Sequence, residues 1–200
     1  MRKVIAMEFI TLDGVVQGPS SPDEDRSGGF ENGGWHAPHT RDEAFMRRMV
    51  SAIDEAGGFL LGRGTYELFA AHWPKASPDE QVLARPLNTK PKYVASTTLT
   101  APLAWQRSTL LGHDVAESVA ALKREAGGDL LAIGSPELVR SLLMHGLVDE
   151  LRLMIDPVVV GGGKRLFADD GALRNLRLVD SAVTTTGAIM TTYAPQEMKS

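Results

Sequence analysis

The sequence contains no cysteine among its 200 residues. This absence excludes a disulfide framework, a thiolate nucleophile and a metal site with cysteine ligands. It also fits a reducing compartment, so we expect a cytoplasmic protein. The apolar run near the amino terminus is too short for a signal peptide and contains Glu8. No stretch approaches the length of a membrane span, so no membrane association is expected.

A strong charge of either sign is also missing. The formal net charge is −4, which gives no reason to expect a nucleic acid or an anionic membrane as partner. Hydrophobic residues make up 43% of the chain and charged residues 23%, which is the balance of a globular protein with a sizeable core. We predict a single domain over residues 1–200, with a long polar loop at 17–40 that is either functional or disordered.

Three familiar active-site motifs are absent. The sequence has no GxGxxG fingerprint, so an ordinary Rossmann dehydrogenase is not expected. Gly163 and Lys164 do not form a P-loop, because Arg165 replaces the required serine or threonine. No serine lies in a GxSxG elbow, the motif of the α/β-hydrolases.

The sequence also lacks a complete metal-binding motif. Asp23 and Asp25 resemble the start of a calcium loop, but Gly34 stands where the closing glutamate belongs. His36 and His39 have the spacing of part of a metal site without a partner cluster. We therefore expect no metal, and we predict that both histidines lie on the surface of the loop.

The clearest pattern in the chain is a strand, a tight turn and a helix after residue 129. Leu130–Ile133 is a short apolar run without charge, typical of a strand that is buried on both faces. Gly134 ends the run, Ser135 is a good N-cap and Pro136 a good first helical residue. A helix that begins there directs free N–H groups at a potential phosphate site, although a connection without a ligand gives the same pattern.

A second turn of the same kind follows Phe59–Leu61, where Gly62 and Arg63 open another helix. In open α/β sheets, ligands bind at the carboxyl ends of the strands. Two helix N-termini and one arginine at that edge suit the diphosphate of a dinucleotide.

Helices are predicted to alternate with short buried strands through most of the chain. In the last third, apolar and polar residues alternate more regularly along the strands. Leu176–Val179 and Ile189–Tyr193 read as two closing strands that pair antiparallel. The sequence therefore predicts an α/β fold with a mostly parallel sheet and an antiparallel C-terminal edge.

This arrangement resembles the dihydrofolate reductase fold, and most closely the bacterial reductase domains related to the pyrimidine reductase of riboflavin synthesis. Five motifs in order carry the resemblance: TLDG at 11–14, GRGTYE at 62–67, ST at 96–97, IGSPELV at 133–139 and PVVVGGGKRLF at 157–167. The resemblance implies a three-layer α/β/α architecture over nearly the whole chain.

The resemblance also implies NADPH as the cofactor. Arg63 and Thr65 match the segment at the diphosphate and the adenosine 2′-phosphate, and residues 96–97 match positions near that 2′-phosphate. Residues 134–135 match the turn beneath the diphosphate, where the carboxylate of Glu137 should point away from a phosphate. The implied cofactor-binding residues are Gly62, Arg63, Thr65, Ser96, Thr97, Ile133, Gly134, Ser135, Glu137, Leu138, Gly161 and Gly162.

Two carboxylates are candidate proton donors, with water as the third source. Asp13 lies in the TLDG motif, and its alternative role is to form a turn together with Gly14. Asp42 could reach a substrate from the first helix, and its alternative role is that of an acid favoured by the helix dipole. A catalytic carboxylic acid would need a raised pKa. The candidate substrate-binding residues, which are otherwise core residues, are Trp35, Phe45, Met46 and Met49.

The sequence and the resemblance together predict an NADPH-dependent reductase. Its substrate would be a small pterin-like or pyrimidine-like heterocycle, or a conjugated C=N or C=O compound. The relatives suggest a homodimer formed through the C-terminal strands. The alternative is a protein of the same fold that binds a nucleotide without turnover, as a sensor or a dimeric interaction protein.

Overall fold

The computed structural model describes residues 1–167 and 169–196. The chain divides into two compact units, each made of two chain segments. The first unit contains Met1–Ala6 and Arg48–Asp149, and the second contains Met7–Arg47 and the chain from Glu150 onward. Strand β1 (Val4–Thr11) and helix α1 (Glu43–Glu55) each contribute residues to both units.

The first unit is built on parallel strands that alternate with helices. Its strands β2, β3, β4 and β5 are joined by parallel pairings of β2 with β3, β2 with β5 and β3 with β4. The apolar run that predicts β5 as a buried strand is indeed buried, since every residue of β5 is inaccessible or nearly so. The elements are β2 (Gly58–Gly62), α2 (Arg63–His72), α3 (Gln81–Thr89), β3 (Lys92–Ala95), β4 (Ser108–Leu110), α4 (Val115–Arg124), β5 (Leu130–Ile133) and α5 (Pro136–Met144).

The second unit ends in the antiparallel strands that the sequence predicts. Strand β6 (Glu150–Asp156) pairs antiparallel with β8 (Ile189–Pro195), and β8 pairs antiparallel with β7 (Leu176–Val183). The strand order is β4-β3-β2-β5-β1-β6-β8-β7, with β7 at one edge. The predicted fold class, a mostly parallel sheet with an antiparallel C-terminal edge and helices around it, is confirmed.

Side chains cap two of the helices directly. Asp114 caps α4 by accepting a bond from the N–H of Glu117 at 2.8 Å. Ser77 and Glu80 form a capping box at the start of the short helix Pro78–Glu80. Thr40 does not cap α1, because its hydroxyl donates to the carbonyl of Ala37. The N-cap of α1 is Asp42, described below.

Among the described residues, no helix is both long enough and apolar enough to cross a membrane. In the same part of the chain, no group of three or more His, Asp and Glu side chains is arranged to hold a metal ion.

Candidate functional site

Two helices of the first unit begin at the carboxyl ends of the neighbouring parallel strands β2 and β5. The backbone N–H of Gly62, at the start of α2, donates to the side-chain oxygen of Ser135, at the start of α5, at 2.8 Å. A Cβ at Gly62 would lie 3.3 Å from the Cβ of Ser135, so the two turns approach as closely as a glycine allows. We call these two turns, Gly62–Arg63 and Gly134–Ser135, the paired turns.

The second of the paired turns has an unusual backbone. Gly134 and Ser135 have φ angles of 57° and 64°, so two consecutive residues are left-handed and one of them is not glycine. Such a conformation costs on the order of 1–3 kcal/mol and is concentrated at functional sites. The sequence predicts Ser135 as an N-cap, but its side chain makes no cap bond to α5 and binds the other turn. The first N–H groups of α5 therefore do not use this hydroxyl as their acceptor.

Arg63 is held at the start of α2 by two side chains. Its Nε donates to Oε1 of Glu67 at 2.9 Å, and its Nη1 donates to the hydroxyl of Thr98 at 2.7 Å. The side chain is half exposed, so a solvent-borne anion can reach it. Sequence reasoning selects residues 96–97 after β3 and misses Thr98, the next residue of the same hydroxyl run. Ser96 shapes this turn by accepting from the backbone N–H of Thr98 at 3.1 Å.

The other predicted cofactor residues of the first unit differ in their surroundings. A Cβ at Gly134 would lie 3.5 Å from the hydroxyl of Thr65, so Thr65 adjoins the paired turns. Ile133 and Leu138 are buried core residues that fix the strand end and the helix. The side chains of Thr97 and Glu137 are exposed.

The predicted glycines Gly161 and Gly162 belong to the second unit, where both are exposed. The N–H of Gly161 donates to Oδ2 of Asp13 at 3.0 Å, and the N–H of Val160 donates to Oδ1 at 3.3 Å. Asp13 thus holds the beginning of the glycine run against the end of β1.

The carboxylate of Asp13 has further partners. It accepts the hydroxyl of Thr11 at 2.6 Å, and Arg165 lies 4.0 Å away. The bond from Thr11, together with those from the glycine run, lowers the pKa of Asp13 below its ordinary value. This favours the ionised form at neutral pH, which suits the turn-forming role and not the role of a proton donor. The catalytic role of Asp13 stays a prediction.

Asp42 caps α1 and binds a distant turn. Its Oδ1 accepts the N–H of Phe45 at 2.9 Å, while its Oδ2 accepts the N–H and the hydroxyl of Thr185 at 2.8 and 2.7 Å. The hydroxyl of Thr185 and these backbone donors lower the pKa of Asp42 to about 2. Both carboxylate oxygens are committed to the fold, which favours the alternative of a first-turn acid. Catalysis by Asp42 also stays a prediction.

The prediction that His36 lies on the surface is wrong. Its side chain is 1% exposed, and Nδ1 lies 2.7 Å from Oδ2 of Asp156, the last residue of β6. The two residues are 120 positions apart, so no local pattern could indicate the pair. His39 is partly buried and contacts the hydroxyl of Thr186 through Nδ1 at 2.9 Å.

Aromatic rings surround the imidazole of His36. The ring of Phe9 stacks on it with centroids 3.8 Å apart and an interplanar angle of 13°, and Phe45 packs edge-on at 5.2 Å. Nε2 of His36 and Oδ1 of Asp156 are both buried, and neither has a hydrogen-bond partner among the described residues. A polar pair with one unused atom on each member is therefore enclosed in an aromatic environment.

The model of one protein family, described as the RibD C-terminal domain, matches residues 2–190. The chain belongs to the RibD C-terminal domain family. All five motifs of the predicted resemblance lie within the matched range, so the recognition made from the sequence is confirmed.

Other known proteins are similar to this RibD C-terminal domain over nearly its whole length. The uncharacterized protein YyaP of Bacillus subtilis strain 168 is 29% identical over 198 residues, covering 96% of this chain and 94% of YyaP. A crystal structure of a putative riboflavin biosynthesis protein from Shewanella sp. PV-4 superimposes with a TM-score of 0.68 at 20% identity, covering 98% and 99% of the two chains. Enterococcus faecalis dihydrofolate reductase, solved with NADP(H) and RAB-propyl, gives 0.59 at 15% identity, covering 98% and 97%. The two structures establish the shared fold.

The long loop of this RibD C-terminal domain packs into a small hydrophobic cluster that it shares with other elements. Val15, Phe30 and Trp35 form this buried cluster, against which Phe9, Val158 and Val160 pack. The indole N–H of Trp35 donates to the carbonyl of Gln17 at 2.8 Å. A Cβ at Gly163, whose φ is 118°, would lie 2.9 Å from the ring of Phe30. The predicted substrate wall at Trp35 thus lies inside this cluster, at 8% exposure.

The three predicted substrate residues of α1 are differently exposed. Phe45 and Met49 are buried, at 6% and 7% exposure, and Met46 is partly exposed. Phe45 contacts the ring of His36, as described above, whereas Met49 belongs to the part of α1 in the first unit. Substrate binding by these residues stays a prediction.

A cavity of about 410 Å³ opens in the second unit at the ends of β1 and β6. Apolar side chains make most of its surface, with Asp13 and Arg165 as the charged groups among its lining residues. The lining residues are Ile10, Thr11, Leu12, Asp13, Gly14, Leu153, Ile155, Arg165 and Phe167.

Proposed function

We propose that the protein is an NADPH-dependent reductase that transfers a hydride to a small heterocyclic or conjugated C=N or C=O compound. Membership of the RibD C-terminal domain family and the dihydrofolate reductase-like fold support a reductase-type function. The observation that carries the proposal is the pair of turns joined by the bond from Gly62 to Ser135, with Arg63 beside them.

The paired turns fit the phosphates of a dinucleotide. Two helix N-termini meet there, and each contributes backbone N–H groups without intrahelical acceptors and the positive end of a helix dipole. Arg63 adds a planar guanidinium of five N–H donors, of which Glu67 and Thr98 use two. The hydroxyl run after β3 supplies further donors near this guanidinium. This set of groups is selective for a phosphate over a neutral ligand.

The residues of this chain would bind the cofactor and position it, while the reduced nicotinamide supplies the hydride. Arg63 and the starts of α2 and α5 would hold the phosphate groups. Holding both reactants in a reactive geometry lowers the barrier by making the transfer effectively unimolecular. A proton must also reach the reduced substrate, and the ionised states of Asp13 and Asp42 make both poor donors.

A homodimer is part of the proposal. Strand β7 lies at the edge of the sheet and exposes large apolar side chains, with Val183 at 70% and Leu178 and Val179 at 50%. An exposed apolar edge strand favours association with another chain. A second copy of this protein that covers β7 would remove this surface from water.

The first experiment is a titration with NADPH and, separately, NADH, followed by nicotinamide fluorescence and thermal shift. We expect preferential binding of NADPH, weakened at least about tenfold in Arg63→Ala, which corresponds to about 1.4 kcal/mol. Arg47→Ala is the matched control, since Arg47 forms a comparable i,i+4 pair with Glu43 on an exposed helix face. If neither nucleotide binds at millimolar concentration, the reductase proposal fails.

The second candidate is a protein that binds NADPH without turnover. Both Asp13 and Asp42 are committed to structural bonds, so neither carboxylate is suited to donate a proton. This observation favours binding without turnover. A panel of pterins, pyrimidines and quinoid compounds, each mixed with NADPH, separates the two candidates. Consumption of NADPH in step with one compound supports the reductase, and tight binding without consumption of NADPH supports the sensor.

A further inference from the structure

The side chain of Arg63 is held by two different elements of the first unit. Its Nε donates to Oε1 of Glu67, which lies one turn further along α2, at 2.9 Å. Its Nη1 donates to the hydroxyl of Thr98, which lies beyond the end of β3 and 35 positions away in the sequence, at 2.7 Å. Two bonds on different nitrogens fix both the position and the plane of the guanidinium. We call Glu67 and Thr98 the arginine clamp.

The turn after β3 is built to present Thr98. The hydroxyl of Ser96 accepts the backbone N–H of Thr98 at 3.1 Å and that of Leu99 at 3.0 Å. Because these bonds use backbone donors, they hold the turn whatever side chain stands at position 98. The side chain of Thr98 is β-branched, which restricts its rotation about χ1. The hydroxyl of Thr98 therefore stands at a fixed place beside the start of α2.

The arginine clamp leaves one end of the guanidinium to an anion. A guanidinium has five N–H donors, and the clamp uses the donor on Nε and one of the two on Nη1. The second donor of Nη1 and both donors of Nη2 have no partner among the described residues. Nη1 and Nη2 together can bind two oxygens of one phosphate. The side chain of Arg63 is half exposed, so an anion in solution can reach it.

Glu67 does not occupy the end formed by Nη1 and Nη2, because it binds Arg63 at Nε. Its side chain is 48% exposed, so water and salt screen its charge from an anion at that end. The carboxylate of Glu67 therefore orients Arg63 and leaves the anion position open.

The arginine clamp draws the guanidinium away from the second of the paired turns. Strand β2 pairs with β3 on one side and with β5 on the other. Gly134 and Ser135 follow β5, whereas Thr98 follows β3, so the side chain of Arg63 extends from the end of β2 towards the side opposite to β5. Adjacent strands are about 4.8 Å apart. An anion on Arg63 is therefore a different group from an anion at the start of α5.

We propose that Thr98 is a positioning residue that gives the protein its preference for NADPH over NADH. This inference rests on the proposed reductase function. Thr98 holds Arg63 ready for the phosphate monoester that NADPH carries in addition to its diphosphate and that NADH lacks. An arginine loses much rotational freedom when it binds a ligand, and a residue that has already fixed the side chain removes that cost. The monoester carries close to two negative charges at neutral pH, so a fixed guanidinium favours it over a hydroxyl.

The test is the ratio of the Kd for NADH to the Kd for NADPH, measured by nicotinamide fluorescence. Thr98→Val keeps the branching of the side chain and removes the hydroxyl. We expect it to lower the ratio about fivefold by raising the Kd for NADPH alone, which corresponds to about 1 kcal/mol. Thr98→Ser keeps the hydroxyl and should keep the ratio of wild type. Thermal shift without nucleotide checks that each variant is folded.

Thr100→Val is the matched control. Thr100 is an exposed threonine of the same loop, and its hydroxyl has no hydrogen-bond partner in the described part of the chain. The substitution removes the same group from a nearby position, so both Kd values should stay unchanged. An equal fall of the ratio in Thr98→Val and Thr100→Val would overturn the assignment.

A double-mutant cycle separates positioning from direct contact. If Thr98 acts through Arg63, then Thr98→Val should change the ratio by less than about twofold in the Arg63→Ala background. A direct contact of Thr98 with the nucleotide would keep its full effect in that background. A merely structural role would weaken the binding of both nucleotides and leave the ratio unchanged. Either of these two results overturns the positioning role.

The outcomes also separate this inference from the proposed function. If Arg63→Ala loses the preference for NADPH and Thr98→Val keeps it, the role of Thr98 is wrong and the reductase function stands. A wild type that binds NADPH and NADH equally well would overturn the inference in the same way. If neither nucleotide binds at millimolar concentration, the reductase function fails and the role of Thr98 fails with it.

Discussion

The N–H of Gly62 donates to the side-chain oxygen of Ser135 at 2.8 Å across 73 positions of sequence. This bond joins the starts of α2 and α5 at the ends of adjacent strands. It converts two ordinary strand-to-helix turns into one surface with two helix N-termini. The spacing of the two turns is therefore set by one hydrogen bond and by the absence of a side chain at Gly62.

Substitution of Gly62 by alanine tests the closeness of the paired turns. The φ of Gly62 is −74°, so alanine causes no backbone strain, but its Cβ would lie 3.3 Å from the Cβ of Ser135. We expect the turns to move apart and the Kd for NADPH to rise about tenfold.

Gly58→Ala is the matched control, because Gly58 lies at the opposite end of β2 and its added Cβ would also meet a close neighbour, the carbonyl oxygen of Pro91 at 3.2 Å. This substitution should leave the affinity for NADPH unchanged. Equal effects of the two substitutions on the affinity would contradict the predicted role of close approach.

Two substitutions at Ser135 separate the hydrogen bond from the backbone conformation. Ser135→Ala loses the acceptor for Gly62 and keeps the left-handed strain, so we expect a loss of about 1–3 kcal/mol in urea denaturation. Ser135→Gly loses the same bond but relieves the strain, so it should be more stable than Ser135→Ala. If Ser135→Gly is the less stable of the two, the φ of 64° is not a source of strain.

The acid sensitivity of the protein should depend on Asp42. Its pKa in the folded protein is about 2, below the unfolded value of about 4. A carboxyl group with a lowered folded pKa stabilises the native state above the unfolded pKa, and this stabilisation is lost as pH falls towards 2. Asp42→Asn should lower the urea midpoint at pH 7, and the midpoint of the variant should fall less between pH 5 and pH 2 than that of wild type. An equal fall of the midpoint in wild type and variant would contradict the lowered pKa of Asp42.

The edge strand β7 should mediate dimerisation. We expect wild type to behave as a dimer in light scattering, and Val183→Glu to shift it towards the monomer by placing a charge on the 70% exposed position. Leu68→Glu, at a 44% exposed position of the first unit, is the control and should remain dimeric. A monomeric wild type would remove the homodimer from the proposed function.

Much of the fold could be predicted from the sequence because its signals are local. The boundaries of β5 and the turn at Gly134–Ser135 follow from apolar runs, glycines and helix-capping residues a few positions apart. The role of Ser135 could not be predicted, since its hydroxyl binds Gly62 and not its own helix. Local capping rules suggest that the hydroxyl accepts from an N–H of its own helix, whereas the packing of two strands brings another donor closer.

The contact of His36 with Asp156 was beyond sequence reasoning for a related reason. A histidine in a loop rich in glycine, proline and aspartate has the composition of a solvated segment. Its burial depends on the hydrophobic cluster around Trp35 and on a strand end 120 positions away. A single sequence without aligned relatives contains no signal for such a pairing.

The cluster around Phe30 and Trp35 also determines how this protein could be engineered. Because Phe9, Val158 and Val160 pack against these rings, a loop exchanged between homologous scaffolds needs matching apolar residues at those positions. The ring of Phe30 requires that the recipient scaffold carry a glycine at the position of Gly163, because any side chain there would overlap the ring. A library of transplanted loops should therefore vary residues 17–40 while holding that glycine constant.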